Sequence, residues 1–114
     1  LTVGDVAQAD VAAREALGLV RDLGKTLNTM CALQHVGTIA ARRGDHVRAA
    51  RLEGASNELY REFGLAREFT ERTLYDQTIE DVRAALGEAA LEAHLAAGAA
   101  LSLDEAVTEA LSSQ

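Results

Sequence analysis

Gly44-Asp45-His46-Val47-Arg48-Ala49 echoes Gly4-Asp5-Val6-Ala7-Gln8-Ala9, forty residues earlier. The two segments also close alike: Leu19-Val20-Arg21-Asp22-Leu23-Gly24 aligns with Leu59-Tyr60-Arg61-Glu62-Phe63-Gly64. Glycine followed by aspartate is economical punctuation between helices. Glycine takes the left-handed position that ends one helix, and aspartate caps the amides that open the next. A period of this length, with helical segments between glycines, predicts stacked antiparallel helical hairpins. Scaffolds of this kind bind or transmit more often than they catalyse.

Composition agrees with an all-α domain. The chain has 114 residues, no proline, only four aromatic residues and 48% hydrophobic content, much of it alanine and leucine, which favour helices. The spacing of apolar residues and caps predicts about six helices, over 6–23, 27–43, 46–63, 68–86, 88–97 and 103–111. Gly24, Gly44, Gly64, Gly87 and Gly98 are the expected stops, with Asp45 capping the third helix. Thr26 is a candidate cap for the second helix, and Thr70 or Thr73 for the fourth. Ser102-Leu103-Asp104-Glu105 reads as a capping box, with Ser102 and Glu105 each satisfying the other's backbone amide.

The expected inward stripe of the second helix is Leu27, Met30, Leu33 or Gln34, Gly37 and Ala40. Gly37 is expected where a neighbouring helix comes close. Val47, Ala50, Gly54 or Ala55, and Leu59 form the tight side of the third, extended by Leu52 and Phe63. Leu74 or Tyr75, Thr78 or Ile79, Val82 and Leu86 serve the fourth, and Leu91 and Leu95 the fifth. Leu103, Val107, Ala110 and Leu111 anchor the sixth. The chain then divides into 1–24, the second helix of a truncated repeat, 25–64, a complete hairpin, and 65–114, divergent capping helices.

Function is bounded by charge and by missing motifs. A formal net charge of −7, from 18 acidic and 11 basic residues, argues against nonspecific nucleic-acid binding. The acidic sixth helix is a poor recognition helix. No apolar run reaches the roughly 18 residues that a membrane span needs. The single cysteine, Cys31, reads as packing and fits a reducing compartment, so the cytoplasm is the expected location. His35, His46 and His94 fall on three different helices without metal-ligand spacing. No phosphate loop or nucleophile elbow is visible. No catalytic, cofactor-binding or metal-ligating residue is expected.

Other polar residues have two readings each. Arg21 and Arg61 share a repeat position and serve either the helix dipole and a local ion pair or a repeated groove contact. Arg42, Arg43, Arg48 and Arg51 cluster around the Gly44-Asp45 turn, as a solvated tip or as a contact for an acidic partner. Tyr60 and Tyr75 suit either an interface or the edge of the core.

Ala40-Ala41-Arg42-Arg43-Gly44-Asp45, followed by Ala49-Ala50-Arg51-Leu52-Glu53-Gly54-Ala55, resembles the last tetratricopeptide-like hairpin of large bacterial regulators. The ending Gly98-Ala99-Ala100-Leu101-Ser102-Leu103-Asp104-Glu105-Ala106-Val107 is similar to the common close of those proteins, with Ala99 where arginine is frequent. The resemblance spans essentially the whole chain. It implies the C-terminal part of the helical region of a LuxR-type or signal-transducing ATPase regulator, with the ATP loop and the DNA-binding segment outside the chain. It further implies a non-enzymatic, regulatory interaction domain, with a small-ligand sensor as the alternative. The expected partners are other domains of the parent protein, another protein, or a second copy through exposed helix one. Neither nucleic acid nor membrane is touched directly. In stacked hairpins the first helix of each pair builds the concave face, which here offers Asn28, Gln34, His35 and Thr38.

Overall fold

Residues 25–111 are described by the structure, a computed structural model. Among them every element is helical. The first helix, α1, covers 25–42, followed by α2 (His46–Glu62), α3 (Phe69–Leu86), α4 (Glu88–Ala99) and α5 (Leu103–Leu111). The expected helix at 6–23, with Arg21 and Gly24, lies outside the described residues, and so does the first half of the echo.

The Gly44-Asp45 turn explains why α1 and α2 form a hairpin. Gly44 has φ 84°, a conformation that costs other L-residues roughly 1–2 kcal/mol. Its N–H donates to Ala41 O at 3.1 Å, and the Asp45 N–H donates to Ala40 O at 2.8 Å. This is the double bond pattern that closes a helix C-terminus around a left-handed residue. Asp45 then opens α2, its carboxylate accepting the Arg48 N–H at 3.3 Å. Two residues thus end one helix and start the next. Gly44→Ala should lower stability by about 1–2 kcal/mol, read as a lower urea midpoint at unchanged slope. An unchanged midpoint would mean that the turn tolerates a side chain.

α1 and α2 run antiparallel. The Ser56 hydroxyl donates to Met30 O at 3.0 Å, and further along Gly37 faces Glu53 and Ala49. The inward stripe of α1 is Met30, Leu33, Gln34, Gly37, Ala40 and Ala41, close to the sequence expectation. α2 lies at the centre and packs more extensively on α4 than on α3 or α5. On one side Ala49 and Ala50 meet Ala40, Ala41, Ile79, Val82 and Leu91; on the other Leu52 and Ala55 meet Leu33 and Ala106. Enclosed from both sides, α2 buries 52–56 as an unbroken run.

Several expectations need correction. Gly98 does not end its helix. It lies buried inside α4, which continues to Ala99, because α2 crosses so closely there that a side chain would strike the Arg51 backbone. Thr26 lies within the helix rather than at its N-cap, since residue 25 is already helical. Glu68 occupies the N-cap of α3 without a side-chain bond, and Thr73 donates to Phe69 O instead. Leu27, Val47 and Phe63 are exposed, as are Leu103 and especially Leu111, at 80%. The residue that α5 buries is Ala106, whose small side chain lets the helix approach Leu52 and Ala55. The Ser102–Glu105 capping box is present in both directions, Ser102 N–H to Glu105 Oε1 at 2.8 Å and Glu105 N–H to Ser102 Oγ at 3.1 Å. Gly64 and Gly87 take positive φ at the ends of α2 and α3.

Candidate functional site

Two places gather polar groups: a cluster inside the α1–α2–α3 junction and the arginine-rich end of the hairpin. The inner cluster is organised by Arg67, in the connection between α2 and α3. Its guanidinium is stacked between the rings of Tyr60 and Tyr75, 4.5 and 4.1 Å from their centroids. It donates through Nε to Gln34 Oε1 at 2.5 Å and through Nη2 to Ser56 Oγ at 3.2 Å. Gln34 Nε2 in turn donates to Glu71 O at 2.6 Å, and Asn57 Nδ2 donates to the Tyr75 hydroxyl at 2.7 Å. One planar cation therefore ties three helices and a connection together, combining directional hydrogen bonds with cation–π attraction. Burial, helped by the Cys31 thiol at 3.7 Å, pushes the Tyr60 phenol up to about 12 and keeps it neutral.

Glu53 lies in the same region of the core, fully buried, with no hydrogen-bond partner for either carboxylate oxygen. Desolvation pushes its carboxyl up to about 8, against the opposing pull of Arg67. At neutral pH it is therefore an uncharged acid resting on Gly37; a Cβ there would lie 2.5 Å from Glu53 Oε1. Around Arg67 the arrangement is a staple, with the guanidinium and its partners Gln34, Ser56, Tyr60 and Tyr75 turned toward one another. Arg67→Lys should cost about 1–3 kcal/mol, since an ammonium cannot reproduce the stacked, forked contact. Unfolding by urea measures it, and a loss of only a few tenths would contradict this role.

The arginine end is partly used internally. Arg48 Nη2 donates to Glu109 O at 2.8 Å and to Ala110 O at 2.9 Å, placing a cation on the C-terminal carbonyls of α5. Arg51 Nε bonds Glu109 Oε1 at 2.7 Å. Of the expected interaction residues, Arg48 and Arg51 thus hold α5. Gln34 is buried against Arg67, and Thr38 shares a hydroxyl contact of 2.9 Å with Thr78 on α3. Asn28, His35, Arg42 and Arg43 are exposed. Tyr60 and Tyr75 serve the core edge, as the walls around Arg67. Arg61 is exposed and pairs with Glu58 one turn away, the local ion pair of its two readings. The histidines are on α1, α2 and α4, and no group of three or more metal-ligating side chains comes together among the described residues. No described helix is long and apolar enough to cross a membrane.

Arg67 and Glu53 escaped the sequence reading for different reasons. Arg67 sits in an irregular connection, where no periodicity assigns a direction. Glu53 carried a usable signal: it continues the inward spacing of Ala49, Leu52, Ser56 and Tyr60.

Two surface grooves flank α2. One, of about 290 Å³, lies between the end of α2 and the start of α5, with Leu59, Phe63, Leu101 and Leu103 beside Glu58 and Glu62. The other, of about 400 Å³, lies between the end of α1, the start of α2 and the end of α5. Its floor is Val36, Ile39, Ala40 and Ala110, and its rim carries Arg43 and Arg48.

No protein-family model, curated protein or solved structure matches the chain.

Proposed function

We propose that this chain is a tetratricopeptide-like interaction module of a larger ATP-dependent transcriptional regulator in the cytoplasm, which passes a signal by binding rather than by catalysis. The observation that supports this reading is the outer face of α1. Residues 28, 32, 35, 39, 42 and 43 are all exposed and follow a three-and-four spacing along one side of the helix, opposite the stripe that packs on α2. A first helix whose exposed face carries Asn28, His35, Arg42 and Arg43 is what a stacked hairpin offers to a partner domain. Both grooves are open at the surface, which favours a protein partner over an enclosed small inducer.

The coding sequence upstream of Leu1 tests the larger setting. A nucleotide-binding loop and further Gly-Asp turns at the same forty-residue spacing are expected there. A reading frame without either would overturn the regulator assignment.

A further inference from the structure

We propose that the groove bounded by the ends of α1 and α5 and the start of α2 docks an acidic, leucine-rich peptide segment. An aliphatic side chain would seat on Ile39 and Val36, with carboxylates toward Arg43 and Arg48. The inference rests on the interaction-module reading and adds the partner's chemistry and its place of binding.

Three observations carry it. The floor is apolar and open: Ile39 is 49% exposed, although it lies beside the half-buried Val36 and the buried Ala40. The rim is basic in an acidic molecule. Arg42, Arg43, Arg48 and Arg51 fall within ten residues of a chain whose net charge is −7, and Arg42 and Arg43 are exposed with no ion-pair partner among the described residues. Among the described residues the one acidic residue lining the groove is Asp45, whose carboxylate is engaged by the Arg48 backbone amide.

The rim is also partly preorganised. The Arg48 guanidinium is held by the α5 carbonyls, so ordering it on binding costs little entropy. Range decides which charges a docked segment feels. At physiological salt the screening length is about 8 Å, so arginines at the groove act directly while more distant acids are largely screened. A basic segment would be repelled, and an apolar segment without acids would leave Arg43 unmatched.

The full chain is titrated against a fluorescein-labelled peptide of alternating glutamate and leucine, read by anisotropy. Lysine–leucine and glutamate–serine peptides of equal length serve as controls. Saturable binding is expected for the glutamate–leucine peptide alone, weakening as salt rises. Arg43→Glu and Ile39→Glu should each weaken it about tenfold or more, equivalent to about 1.4 kcal/mol. Both residues are exposed, and their circular dichroism and urea midpoints should match the parent, which separates lost docking from lost folding.

Several outcomes overturn the proposal: no saturable binding, lysine–leucine binding as tightly, or indifference to both substitutions. A free chain that is dimeric and becomes monomeric on Ile39→Glu would also overturn it, assigning the groove to a second copy. Failure here alongside an upstream nucleotide-binding loop removes the docking chemistry and leaves the module reading standing. Success without such a loop does the reverse.

Discussion

Gly98→Ala is expected to lower the unfolding free energy by about 3 kcal/mol, although alanine ordinarily improves a helix interior by about 1 kcal/mol. The reason is the crossing of α4 over α2. A Cβ on Gly98 would lie 2.6 Å from the Arg51 carbonyl carbon and 2.8 Å from its Cα, and one on Gly54 would lie 2.8 and 2.9 Å from the same atoms of Leu95. These are backbone atoms, which cannot rotate away as a side chain can. Relief requires α2 and α4 to separate, and α2 is already held on its other side by Leu33 and Ala106.

Gly54→Ala should cost a similar amount, because each glycine admits the other helix's backbone at one crossing. The double variant should cost less than the two losses combined, since separation forced by the first methyl makes room for the second. Urea unfolding followed by circular dichroism measures all three. Midpoints that rise, or losses that simply add, would show that the two glycines do not share one contact.

The same crossing shows where sequence reading stops. Helix ends were legible because caps and left-handed glycines act within a few residues: Gly44, Asp45 and the Ser102–Glu105 box needed no tertiary information. The inward stripe of α1 was legible because its buried residues follow one three-and-four spacing. Gly98 was not legible. A glycine just before an alanine pair reads as a stop, and only the approach of Arg51 from another helix makes it an interior packing position.

α5 shows a related failure. Its large residues, Leu103 and Leu111, were expected inward, but close packing against Leu52 and Ala55 selected the smaller Ala106. On α1 the candidate surface was displaced by a single step around the helix: Gln34 is buried while its neighbour His35 is exposed. The sequence offered Gln34 both a place on the inward stripe and a place on the candidate surface, and the Arg67 guanidinium, supplied from a connection, holds it inside.

Glu53 should make the fold lose stability as pH rises across the neutral range. Its carboxyl, ordinarily near 4.5, titrates near 8 in the folded chain because burial opposes the charge. Between those values the folded state holds a proton that the unfolded chain has released. Stability from this group is therefore fully present below about pH 4.5 and falls by about 1.4 kcal/mol per pH unit until about pH 8. The full effect is on the order of several kcal/mol, comparable to the whole stability of a small domain. Arg67 limits it by favouring the charged form.

Half-buried Glu58 and exposed Glu105 act in the opposite direction. Arg61 and the Ser102 backbone amide, respectively, hold their carboxyls below the usual range, so their contributions are lost as pH falls below about 4.5. Stability should accordingly peak on the acidic side of neutral. Glu53→Gln replaces the titrating acid with a neutral group of nearly the same shape. It should leave the urea midpoint at about pH 5 close to the parent's, flatten its decline toward about pH 8, and exceed the parent at the alkaline end. A flat parent profile, or a decline that persists unchanged in Glu53→Gln, would show that this buried carboxyl is not what couples the fold to protons.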